Sequence, residues 1–498
     1  MPENLTVVVL AAGGGTRMKS KTMKVLHPLC GRSMVGHVLH AVAELEPGHV
    51  VAVVGHQREQ VGPHLQELMP DAVLAVQETQ EGTGHAVRVA MEALQQQGRV
   101  LGTVLVAYGD TPLLTGESLR EFAHEHEAAQ SAVTILSGRV EDPFGYGRVV
   151  RNAEGDVEAI VEEKDATAEQ REINEINSGI LAFDADFLAD ALGKISNDNA
   201  KGEYYLTDAV KIARDAGLAV GAFVLDDVRQ TEGANDRAQL AELGRELNRR
   251  ILHRWMKEGV TVVDPATTWV DADVVLARDV TILPGTQLLG ATVVAEDAVV
   301  GPDTTLKDCE VGRGASVVRT HGELAVIGDD ATVGPFSYLR PGTRLGARGK
   351  IGTFVETKNS EIGEGAKVPH LSYVGDAEIG EGTNIGAGTI FANYDGVQKH
   401  RTTVGRHART GSNNTFIAPV SIGDGAGTAG GTVVRRDVPP GALAVSSSPQ
   451  RNLEGWAQRK RAGTPQAEAA AAATEDERDV THDSRGGVGH DGAGEEQS

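Results

Sequence analysis

A glycine-rich turn near the start of the chain carries two cations at a spacing suited to phosphate binding. The apolar run Thr6 to Ala12 leads into Gly13-Gly14-Gly15-Thr16-Arg17-Met18, and Lys24 follows shortly afterwards. Backbone N–H groups together with two cations are what a triphosphate needs. Met18 stands where both the dinucleotide fingerprint and the P-loop need glycine, so neither motif is present. A purely structural glycine turn is the alternative.

A carboxylate follows a second apolar run. Val104-Leu105-Val106-Ala107 predicts a buried strand that ends in Tyr108-Gly109-Asp110. An acid at the carboxyl end of a central strand stands in the crevice where open α/β sheets bind their ligands. The alternative is an aspartate that caps a helix or closes a turn.

A histidine lies within the repetitive second half of the chain. His370 stands two residues after the aliphatic Val368, in the sequence Val368-Pro369-His370-Leu371. Imidazole is suited to accept a proton near neutral pH, which makes His370 a candidate general base. The alternative for any single histidine is an ordinary solvated side chain on the surface of the repeat.

The elements that must position these residues differ between the two halves. In the first half the predicted strands Val50–Gly55, Val73–Gln77, Val104–Tyr108 and Val133–Leu136 alternate with helical stretches such as Gly84–Gln95 and Thr115–Glu127. This alternation indicates a mostly parallel, doubly wound α/β sheet. Apolar residues at steps of three and four predict a single helix over Asp236–Lys257, which links the sheet to the second half.

The second half repeats every six residues. Ile327, Val333, Leu339, Leu345 and Ile351 are followed in most cases by glycine, and a small residue stands four positions after each of the first four. This spacing fits neither an α-helix nor a flat sheet. It is typical of a parallel β-helix in which the aliphatic points inward and glycine tolerates a strained corner. The spacing returns at Ile362, Val368, Val374, Ile379, Ile385, Val404, Thr410, Phe416, Ile422, Thr428 and Val434.

Two departures from the repeat indicate chemistry. Arg340 stands where neighbouring repeats have glycine, and the segment Phe391–Thr403 leaves the repeat altogether. Repeat proteins place insertions on one face, often the binding face. The inserted polar and charged residues are Asn393, Tyr394, Asp395, Lys399, His400 and Arg401.

Composition sets further limits. A chain of 498 residues is too long for one core. Its net charge of −23 argues against nucleic acid as a partner, and any phosphate must be held by local cations. Two cysteines, no signal-peptide pattern and no apolar run of membrane length predict a cytoplasmic protein without membrane insertion. The acid-rich sequence after Ala462 predicts a disordered tail.

Several separate motifs together resemble a known family. Leu10-Ala11-Ala12-Gly13, Thr16-Arg17-Met18 and Lys24-Val25-Leu26 look like the signature of sugar-1-phosphate nucleotidylyltransferases, although Met23 replaces the usual proline. With the hexad repeats, the chain resembles the bacterial bifunctional N-acetylglucosamine-1-phosphate uridylyltransferases and glucosamine-1-phosphate N-acetyltransferases over about residues 5–460. The further matching pieces are Gln77–Ala86, Tyr108-Gly109-Asp110, Phe144–Arg148, Glu162, Glu175-Ile176-Asn177 and Gly233-Ala234-Asn235.

The resemblance implies a fold and a domain plan. It implies an N-terminal Rossmann-like α/β nucleotidyltransferase domain and a C-terminal left-handed parallel β-helix of hexapeptide repeats. The expected boundaries are a uridylyltransferase domain at 1–235, a linker helix at 236–260, an acetyltransferase domain at 261–456 and a disordered acidic tail at 457–498. The implied assembly is a homotrimer with acetyl sites at the joints between columns.

The resemblance also implies a first reaction, in which N-acetylglucosamine-1-phosphate attacks the α-phosphorus of UTP and pyrophosphate leaves. Asp110 and Asn235 would hold Mg²⁺, and Arg17 and Lys24 would act on the phosphates. Oxygen ligands suit Mg²⁺. The wider set implied to bind UTP and the UDP-sugar is Leu10, Ala11, Ala12, Gly13, Lys24, Gln77, Gly82, Thr83, Tyr108, Gly109, Asp110, Gly145, Glu162, Asn177 and Asn235.

The second implied reaction is N-acetylation of glucosamine-1-phosphate by acetyl-CoA, with His370 as the proton acceptor. Arg340 and Lys358 would take the sugar phosphate. Some relatives carry an arginine for the coenzyme at the position of Ser447, whereas the nearest arginine here is Arg451. The other residues implied for this site are Tyr373, Asn384, Ala387, Asn393, Tyr394, Lys399, Ser412 and Gly430.

Two other functions compete with this interpretation. One is a nucleotidylyltransferase with a single activity, whose repeat domain only forms oligomers or binds a regulator. The other treats the repeat as a scaffold without catalysis, which predicts a regular repeat without polar departures. Arg340, His370 and the Asn393–Gly396 loop argue against both. The product of the two implied reactions would supply peptidoglycan and other cell-envelope polymers.

Overall fold

The computed structural model describes residues 4–55, 57–96, 98, 102–199, 201–446 and 450–483, with the side chains of 475–483 left out. The chain divides into two compact units, Met1–Ala444 and Val445–Ser498. In the described part of the chain no helix is both long and apolar enough to cross a membrane.

The first unit begins with a sheet whose order is β11-β7-β10-β6-β1-β4-β5, with β8 and β9 beside β10 and a separate β2–β3 hairpin. The path is parallel except at β10, which runs antiparallel to both of its neighbours. This confirms the predicted mostly parallel sheet. The strands are β1 (Leu5–Leu10), β2 (Pro28–Leu29), β3 (Arg32–Ser33), β4 (His49–Val54), β5 (Val73–Val76), β6 (Thr103–Tyr108), β7 (Val133–Arg139), β8 (Gly147–Arg151), β9 (Val157–Val161), β10 (Glu175–Asp184) and β11 (Val220–Leu225).

Helices cover both faces of this sheet, which explains why its strands are apolar without alternation. Val8 belongs to the core on one face, and Val7 and Val9 belong to the core on the other. The helices are α1 (Met34–Ala43), α2 (Arg58–Leu68), α3 (Thr83–Gln95), α4 (Gly116–Ala128), α5 (Ala168–Arg171), α6 (Ala185–Leu192), α7 (Asp208–Asp215) and α8 (Arg237–Lys257), with short 3₁₀ turns at Thr16–Met18, Lys24–Leu26 and Val228–Thr231.

The rest of the first unit is a left-handed parallel β-helix built from coils of three short strands. Ile282 pairs with Val300, and Leu288 pairs with Leu306, so the chain returns over itself once per coil. Its strands are β12 (Thr261–Val262), β13 (Trp269–Val270), β14 (Val275–Leu276), β15 (Thr281–Ile282), β16 (Gln287–Leu289), β17 (Val293–Val294), β18 (Val299–Val300), β19 (Thr305–Lys307), β20 (Glu310–Val311), β21 (Ser316–Val317), β22 (Thr320–Glu323), β23 (Val326–Ile327), β24 (Thr332–Val333), β25 (Ser337–Leu339), β26 (Thr343–Leu345), β27 (Lys350–Thr353), β28 (Glu356–Ile362), β29 (Lys367–His370), β30 (Tyr373–Ile379), β31 (Ile390–Ala392), β32 (Thr402–Val404), β33 (Thr415–Ile417), β34 (Val420–Ile422), β35 (Gly427–Thr428), β36 (Val433–Val434) and β37 (Leu443–Ala444).

The six-residue repeat supplies the interior of the β-helix. Ile327, Leu339 and Ile351 are at most 1% exposed and belong to one continuous core. The small residues Ala331 and Thr343 are also buried, because each sits beside an inward-pointing aliphatic. The predicted inward positions are therefore confirmed.

The glycine that follows the aliphatic is needed for space more than for conformation. A Cβ atom on Gly328 would lie 2.7 Å from the backbone nitrogen of Ala347, and one on Gly346 would lie 2.7 Å from that of Glu364. Of the predicted glycines only Gly334 has a left-handed φ, at 98°. The expectation that these glycines relieve a strained corner is therefore wrong for Gly328 and Gly346, where the next coil approaches too closely for a side chain.

The left-handed corners are occupied by other residues. Phe336, Phe354 and Leu371 have φ of 58°, 57° and 56° on three successive coils, and they are 54%, 58% and 59% exposed. The rings of Phe336 and Phe354 stack with centroids 5.4 Å apart. Left-handed conformations cost L-residues about 1–2 kcal/mol each, so the stacking of coils must offset this cost. We call these three residues the apolar corner.

The segment that leaves the repeat, predicted as Phe391–Thr403, is shorter than expected. Phe391 lies in β31 and is fully buried, with its ring edge-on to Phe416 at 5.0 Å. Thr402 opens β32 and is also buried. The chain therefore leaves the repeat only between Ala392 and Thr402, because apolar and hydroxyl side chains at both ends still fill inward positions.

Within its described residues, the second unit has two helices, α9 (Trp456–Lys460) and α10 (Pro465–Asp483). The prediction of a disordered tail at 457–498 is wrong for these segments, and 484–498 lie outside the described residues. The alanine run Ala469–Ala473 explains the difference, since alanine has the highest intrinsic helix propensity and its effect outweighs the acidic composition that follows.

A buried carboxylate holds α8 to the segment before it. Asp236 caps the helix, and Glu246 accepts hydrogen bonds from Arg249 at 2.7 Å, from Arg250 at 2.7 Å and from Arg229 at 3.1 Å. These arginines, Arg249 first, outweigh the opposing effect of burial and lower the pKa of Glu246 to about 2. The ion-pair cluster therefore ties the linker helix to the 3₁₀ turn Val228–Thr231.

Glu246→Gln is expected to destabilise the first unit by about 3 kcal/mol at pH 7, because it leaves three guanidinium groups around an uncharged side chain. A carboxylate with a depressed pKa stabilises the fold above its ordinary pKa of 4.5 and loses that contribution as pH falls towards about 2. The difference in urea midpoint between the wild type and Glu246→Gln, followed by tryptophan fluorescence, should therefore shrink below pH 4.5. Glu242→Gln, an exposed position on the same helix, is the control. Equal effects of the two substitutions would contradict a role for the buried cluster.

Candidate functional site

The first predicted site is a cleft of about 390 Å³ at the carboxyl ends of β1 and β6. Residues from the glycine turn, the 3₁₀ turn after it, and loops after β5, β6 and β9 meet there. The predicted residues that line it are Leu10, Ala12, Gly13, Lys24, Gln77, Gly82, Thr83, Tyr108, Asp110, Glu162 and Asn177.

Lys24 is the charge centre of this cleft. Its ammonium forms an ion pair with Asp110 and donates a hydrogen bond to Asn235 Oδ1 at 3.0 Å. Arg17 donates to the same Asn235 oxygen at 2.8 Å. The structure therefore brings together four residues that are far apart in the sequence, with two oxygen ligands converging on one cation.

The local backbone explains how Lys24 reaches this position. Gly15 has φ of 55° and lies so close that a Cβ atom there would be 2.5 Å from Lys24 Cβ. Met23, which replaces the family's proline, is buried with φ of −60°, the value that proline imposes. This turn therefore has a proline-like φ at Met23 without a proline.

Five predicted residues lie outside the lining: Ala11, Arg17, Gly109, Gly145 and Asn235. Ala11 is buried and donates its N–H to Val53 O at 2.9 Å, and Gly109 donates to Leu10 O at 2.9 Å. Both therefore hold strand ends together. Gly145 lies in an exposed loop, where its N–H donates to Glu163 at 3.3 Å. Asn235 reaches the cleft residues through its bonds to Lys24 and Arg17.

Burial shifts two groups in the cleft towards their neutral forms. Burial, with Asp110 and Glu162 nearby, raises the pKa of Tyr108 to about 12. Burial also raises the pKa of Glu162, which the positive charge of Lys201 only partly opposes. Both groups therefore offer hydrogen bonds to a polar ligand such as a sugar hydroxyl.

Several cleft residues escaped the sequence analysis as individual site candidates. Gln80 lines the cleft and donates to Ala12 O at 2.5 Å, although it stands inside the Gln77–Ala86 run. The loop before α7 contributes the others without any periodic pattern; its tyrosine pair, in a chain with only 4% aromatic residues, is the signal that could have found it. These residues are Lys201, Glu203, Tyr205 and Thr207.

The residues predicted for the second site fall at two corners that bound one face of the β-helix. At the first corner, Arg340 donates its backbone N–H to Thr357 O at 2.9 Å, and Lys358 pairs with Gly375 on the next coil. Lys358 also contacts Lys399 from the inserted loop. We call Arg340, Lys358 and Lys399 the basic corner.

At the basic corner, like charges face each other beside two carboxylates, Asp376 and Glu356. Lys399, followed by burial, lowers the pKa of Lys358. Burial opposes ionisation of Asp376, but hydrogen bonds from Asn359 at 2.7 Å and from Asn393 lower its pKa overall. Arg340 also forms an ion pair with Glu356 at 2.9 Å, so three cations lie beside two carboxylates. The remaining positive charge suits an anion. Asn359 and Asp376 were missed because both stand at left-handed corners, where asparagine and aspartate are common for conformational reasons alone.

The second corner carries His370 and continues the apolar corner. The backbone carbonyls of His370, Ala387 and Ser412 accept N–H groups from successive coils at 3.2, 2.7 and 2.8 Å. Gly430 stands one residue before the last of these donors. The imidazole of His370 is exposed and forms no hydrogen bond with any residue that the structure describes, so its nitrogen lone pair is accessible.

The remaining predicted residues surround this face. Tyr373 lies between the corners, where its hydroxyl accepts from Asn393 at 3.4 Å, and Asn384 pairs in register with Lys367 and Arg409 on the adjacent face. Tyr394 is 60% exposed at the inserted loop. Asp395 closes this loop through Gln398 N at 2.6 Å and His400 at 2.7 Å, and these bonds, Gln398 first, lower its pKa.

Two points concern cofactors. Among the described side chains no group of three histidine, cysteine, aspartate or glutamate residues could hold a metal ion by itself. Ser447, the position of the coenzyme-binding arginine in some relatives, lies outside the described residues.

Comparison with known proteins is decisive for the family. Residues 7–173 match the family model of the MobA-like NTP transferase domain. Bifunctional protein GlmU of Rhodococcus opacus is 60% identical over 480 residues, which are 95% of this chain and 96% of that protein. The chain belongs to the GlmU family. The same-named proteins of Streptomyces avermitilis (60% over 469 residues, 94% and 97%) and Corynebacterium glutamicum (57% over 471 residues, 94% and 96%) are similarly close.

Similarity to the GlmU family extends through both halves of the chain. The match covers about 95% of this chain, whereas the NTP transferase match ends within the first sheet domain, at residue 173. The similarity therefore includes the region of the hexad coils as well as the sheet domain.

Proposed function

We propose that the chain is a bifunctional transferase that makes UDP-N-acetylglucosamine, the precursor of peptidoglycan and other cell-envelope polymers. It acetylates glucosamine-1-phosphate with acetyl-CoA and then transfers a uridylyl group from UTP to N-acetylglucosamine-1-phosphate. The observation that carries the proposal is the presence of two separate sites in a GlmU-family chain: the Lys24-centred cleft and the face bounded by His370 and the basic corner.

In the cleft, a phosphate oxygen of N-acetylglucosamine-1-phosphate attacks the α-phosphorus of UTP, and the bond to pyrophosphate breaks. Arg17 and Lys24 neutralise the phosphates, since such transfers depend on positioning and charge stabilisation. Gln77, Gly82 and Thr83 read the uracil. Gly145, Glu162 and Asn177 bind the hydroxyls and acetamido group of the sugar.

The donor set at the cleft fits Mg²⁺. A carboxylate from Asp110 and an amide oxygen from Asn235 converge on the Lys24 ammonium, which marks a position where a cation is stabilised. Both are the oxygen ligands that Mg²⁺ prefers. When bound, Mg²⁺ supplies charge neutralisation at the phosphates, and Asp110 and Asn235 are the residues that would hold it.

On the β-helix, the amine of glucosamine-1-phosphate attacks the thioester carbonyl of acetyl-CoA, and the coenzyme thiolate leaves. His370 accepts the amine proton through its accessible imidazole. Arg340, Lys358 and Lys399 hold the sugar phosphate, with Tyr373, Asn384, Asn393 and Tyr394 around the sugar. Ala387, Ser412 and Gly430 lie on successive coils below His370 and form the coenzyme groove.

The active assembly is a homotrimer in the cytoplasm, with no nucleic acid or membrane partner. The apolar corner supports it, because three large exposed side chains on one edge of a column form a surface that a second copy would cover. The corner adjoins His370 directly through Leu371, so the joint between columns lies beside the acetyl site.

The test of the proposed function supplies purified protein with glucosamine-1-phosphate, acetyl-CoA, UTP and Mg²⁺, omits each in turn, and follows both products. Omission of acetyl-CoA should abolish both products, because uridylyl transfer acts on the acetylated sugar, and omission of UTP or Mg²⁺ should abolish UDP-sugar formation only. UDP-sugar formation from added N-acetylglucosamine-1-phosphate, without any acetylation of glucosamine-1-phosphate, would instead identify a nucleotidylyltransferase with a single activity.

Asp110→Ala is expected to abolish uridylyl transfer and to leave acetyl transfer nearly intact. The substitution removes one of the two oxygen ligands that would hold Mg²⁺, and metal charge stabilisation is worth several kcal/mol in such transition states. Initial rates at several Mg²⁺ concentrations measure the effect. If Asp110→Ala keeps the wild-type rate and the wild-type Mg²⁺ dependence, Asp110 does not hold the metal and is only a turn residue.

His370→Ala is expected to lower acetyl transfer by about 10²–10⁴-fold, the range for a positioned general base. The loss should fall on turnover more than on acetyl-CoA binding, and higher pH should restore part of it because less amine is then protonated. Uridylyl transfer by the same preparation is the internal control. Full acetyltransferase activity would remove His370 from the mechanism, and equal loss of both activities would indicate misfolding.

The double variant Phe336→Asn, Phe354→Asn is expected to dissociate the trimer and to reduce acetyl transfer, with uridylyl transfer retained. Asparagine tolerates left-handed φ, so the change removes apolar surface without adding backbone strain. Light scattering coupled to gel filtration measures the mass. Val293→Asn, at an exposed position on another face, is the control. A trimer that survives the double substitution would exclude the apolar corner from the joint.

A further inference from the structure

The structure points to a residue outside the predicted site set that controls base specificity in the cleft. Gln77, the residue proposed to read the base, is held by two contacts of its side-chain nitrogen: Gly82 O at 3.1 Å and His85 Nδ1 at 3.2 Å. The inference therefore rests on the proposed function. His85 stands in the first turn of α3, three residues after Gly82.

The first contact distinguishes the nitrogen from the oxygen of the Gln77 side-chain amide. A backbone carbonyl only accepts hydrogen bonds, so the group beside Gly82 O must be the NH₂ and not the oxygen. Gly82 is itself fixed in place, because it has φ of 104° and a Cβ atom there would lie 2.6 Å from Tyr204 O. The opposite amide orientation would set two oxygens against each other at about the same distance.

The second contact uses the remaining amide hydrogen. Nδ1 of His85 accepts it, which requires the neutral imidazole with its proton on Nε2. The carboxylate of Glu81 lies 3.9 Å from the same Nδ1, beyond hydrogen-bond distance, so the Gln77 amide is the hydrogen-bond partner of Nδ1. Both hydrogens of the Gln77 amide are then engaged on the protein side.

The amide oxygen is left for the ligand. Gln77 lines the cleft although it is only 4% exposed. Its Oε1 accepts no hydrogen bond from the described residues, and it is not among the fully buried polar atoms without a partner. This oxygen is therefore not fully buried, and it is an acceptor available to the cleft that Gln77 lines.

We propose that His85 is a positioning residue that locks the Gln77 carbonyl towards the cleft and thereby selects uracil over cytosine. Uracil presents an N3–H donor between two carbonyl groups, and it pairs with a fixed acceptor. Cytosine presents a bare N3 acceptor at the same place, so its lone pair faces that of Oε1. Sites built to hydrogen-bond a substrate N–H discriminate strongly against a ligand that lacks it.

Two substitutions separate this role from simple packing. His85→Leu keeps a branched side chain but has no acceptor at the δ position. His85→Asn keeps an acceptor oxygen at the position of Nδ1. His124→Leu, on the exposed surface of α4, is a matched control for the loss of a histidine from a helix.

The measurement is kcat/KM for UTP and for CTP with saturating Mg²⁺ and N-acetylglucosamine-1-phosphate, with acetyl transfer followed in parallel as a check on folding. His85→Leu should lower the ratio of UTP to CTP by about fivefold to tenfold, the value of one hydrogen bond, mainly through KM. His85→Asn and His124→Leu should keep the wild-type ratio. If His85→Leu folds poorly, His85→Ala is a second variant that removes the Nδ1 acceptor. Direct titration of UTP and CTP binding then measures base preference independently of turnover.

Two results would overturn the proposal. One is an unchanged ratio in both His85→Leu and His85→Ala, and the other is an equal fall of the ratio in His85→Asn. Either result leaves the proposed function standing, because the wild type still forms UDP-sugar. A wild type that forms no UDP-sugar from UTP would instead refute the proposed function itself.

Discussion

The close approach of successive coils is the constraint on which the second half of the molecule depends. At Gly328 and Gly346 the backbone of the next coil leaves no room even for one methyl group. This spacing brings every inward aliphatic into contact with its neighbours above and below, so a continuous core forms from short strands that could not be stable alone. The same spacing sets the rise between Arg340, Lys358 and the coils below them, and it therefore determines how the charged side chains of the basic corner are stacked.

Charge has to be arranged locally in this protein because the whole chain carries −23. In the first site Lys24 and Arg17 share the oxygen of Asn235, and Asp110 completes the pairing. In the second site Lys358 and Lys399 face each other beside Asp376. Both arrangements keep cations clustered before any phosphate is bound, which limits the reorganisation that binding requires. The buried Glu246 cluster joins α8 to the turn that precedes Asn235, and it therefore anchors the linker helix to the sheet domain.

The regular features were predictable from the sequence because each has a local cause. Continuous apolar runs indicated β1 and β6, and the six-residue spacing identified the inward positions from Ile327 onwards. Other features depend on approach distances between segments that are far apart in the chain. The role of Gly328, the burial of Phe391 and the pairing of Gln77 with His85 all belong to this class. The helix Pro465–Asp483 was missed for a different reason, since charge composition was given more weight than the helix propensity of its alanine run. Residue types and spacing therefore identified most of the cleft. Lys201 and Tyr205 come from a loop without periodicity, and only the structure showed that they line the cleft.

At the left-handed corners the backbone conformation is needed for folding, whereas the exposed side chains determine only the surface. At Phe336, Phe354 and Leu371 the backbone conformation is imposed by hydrogen bonds to neighbouring coils, and the side chains point away from the core. Exchanging one of these side chains for another leaves the inward core untouched and changes mainly what the edge of the column presents. Such positions are accessible routes for divergence among relatives. A column of this kind could acquire a new binding edge through a few corner substitutions while the coils beneath remain the same.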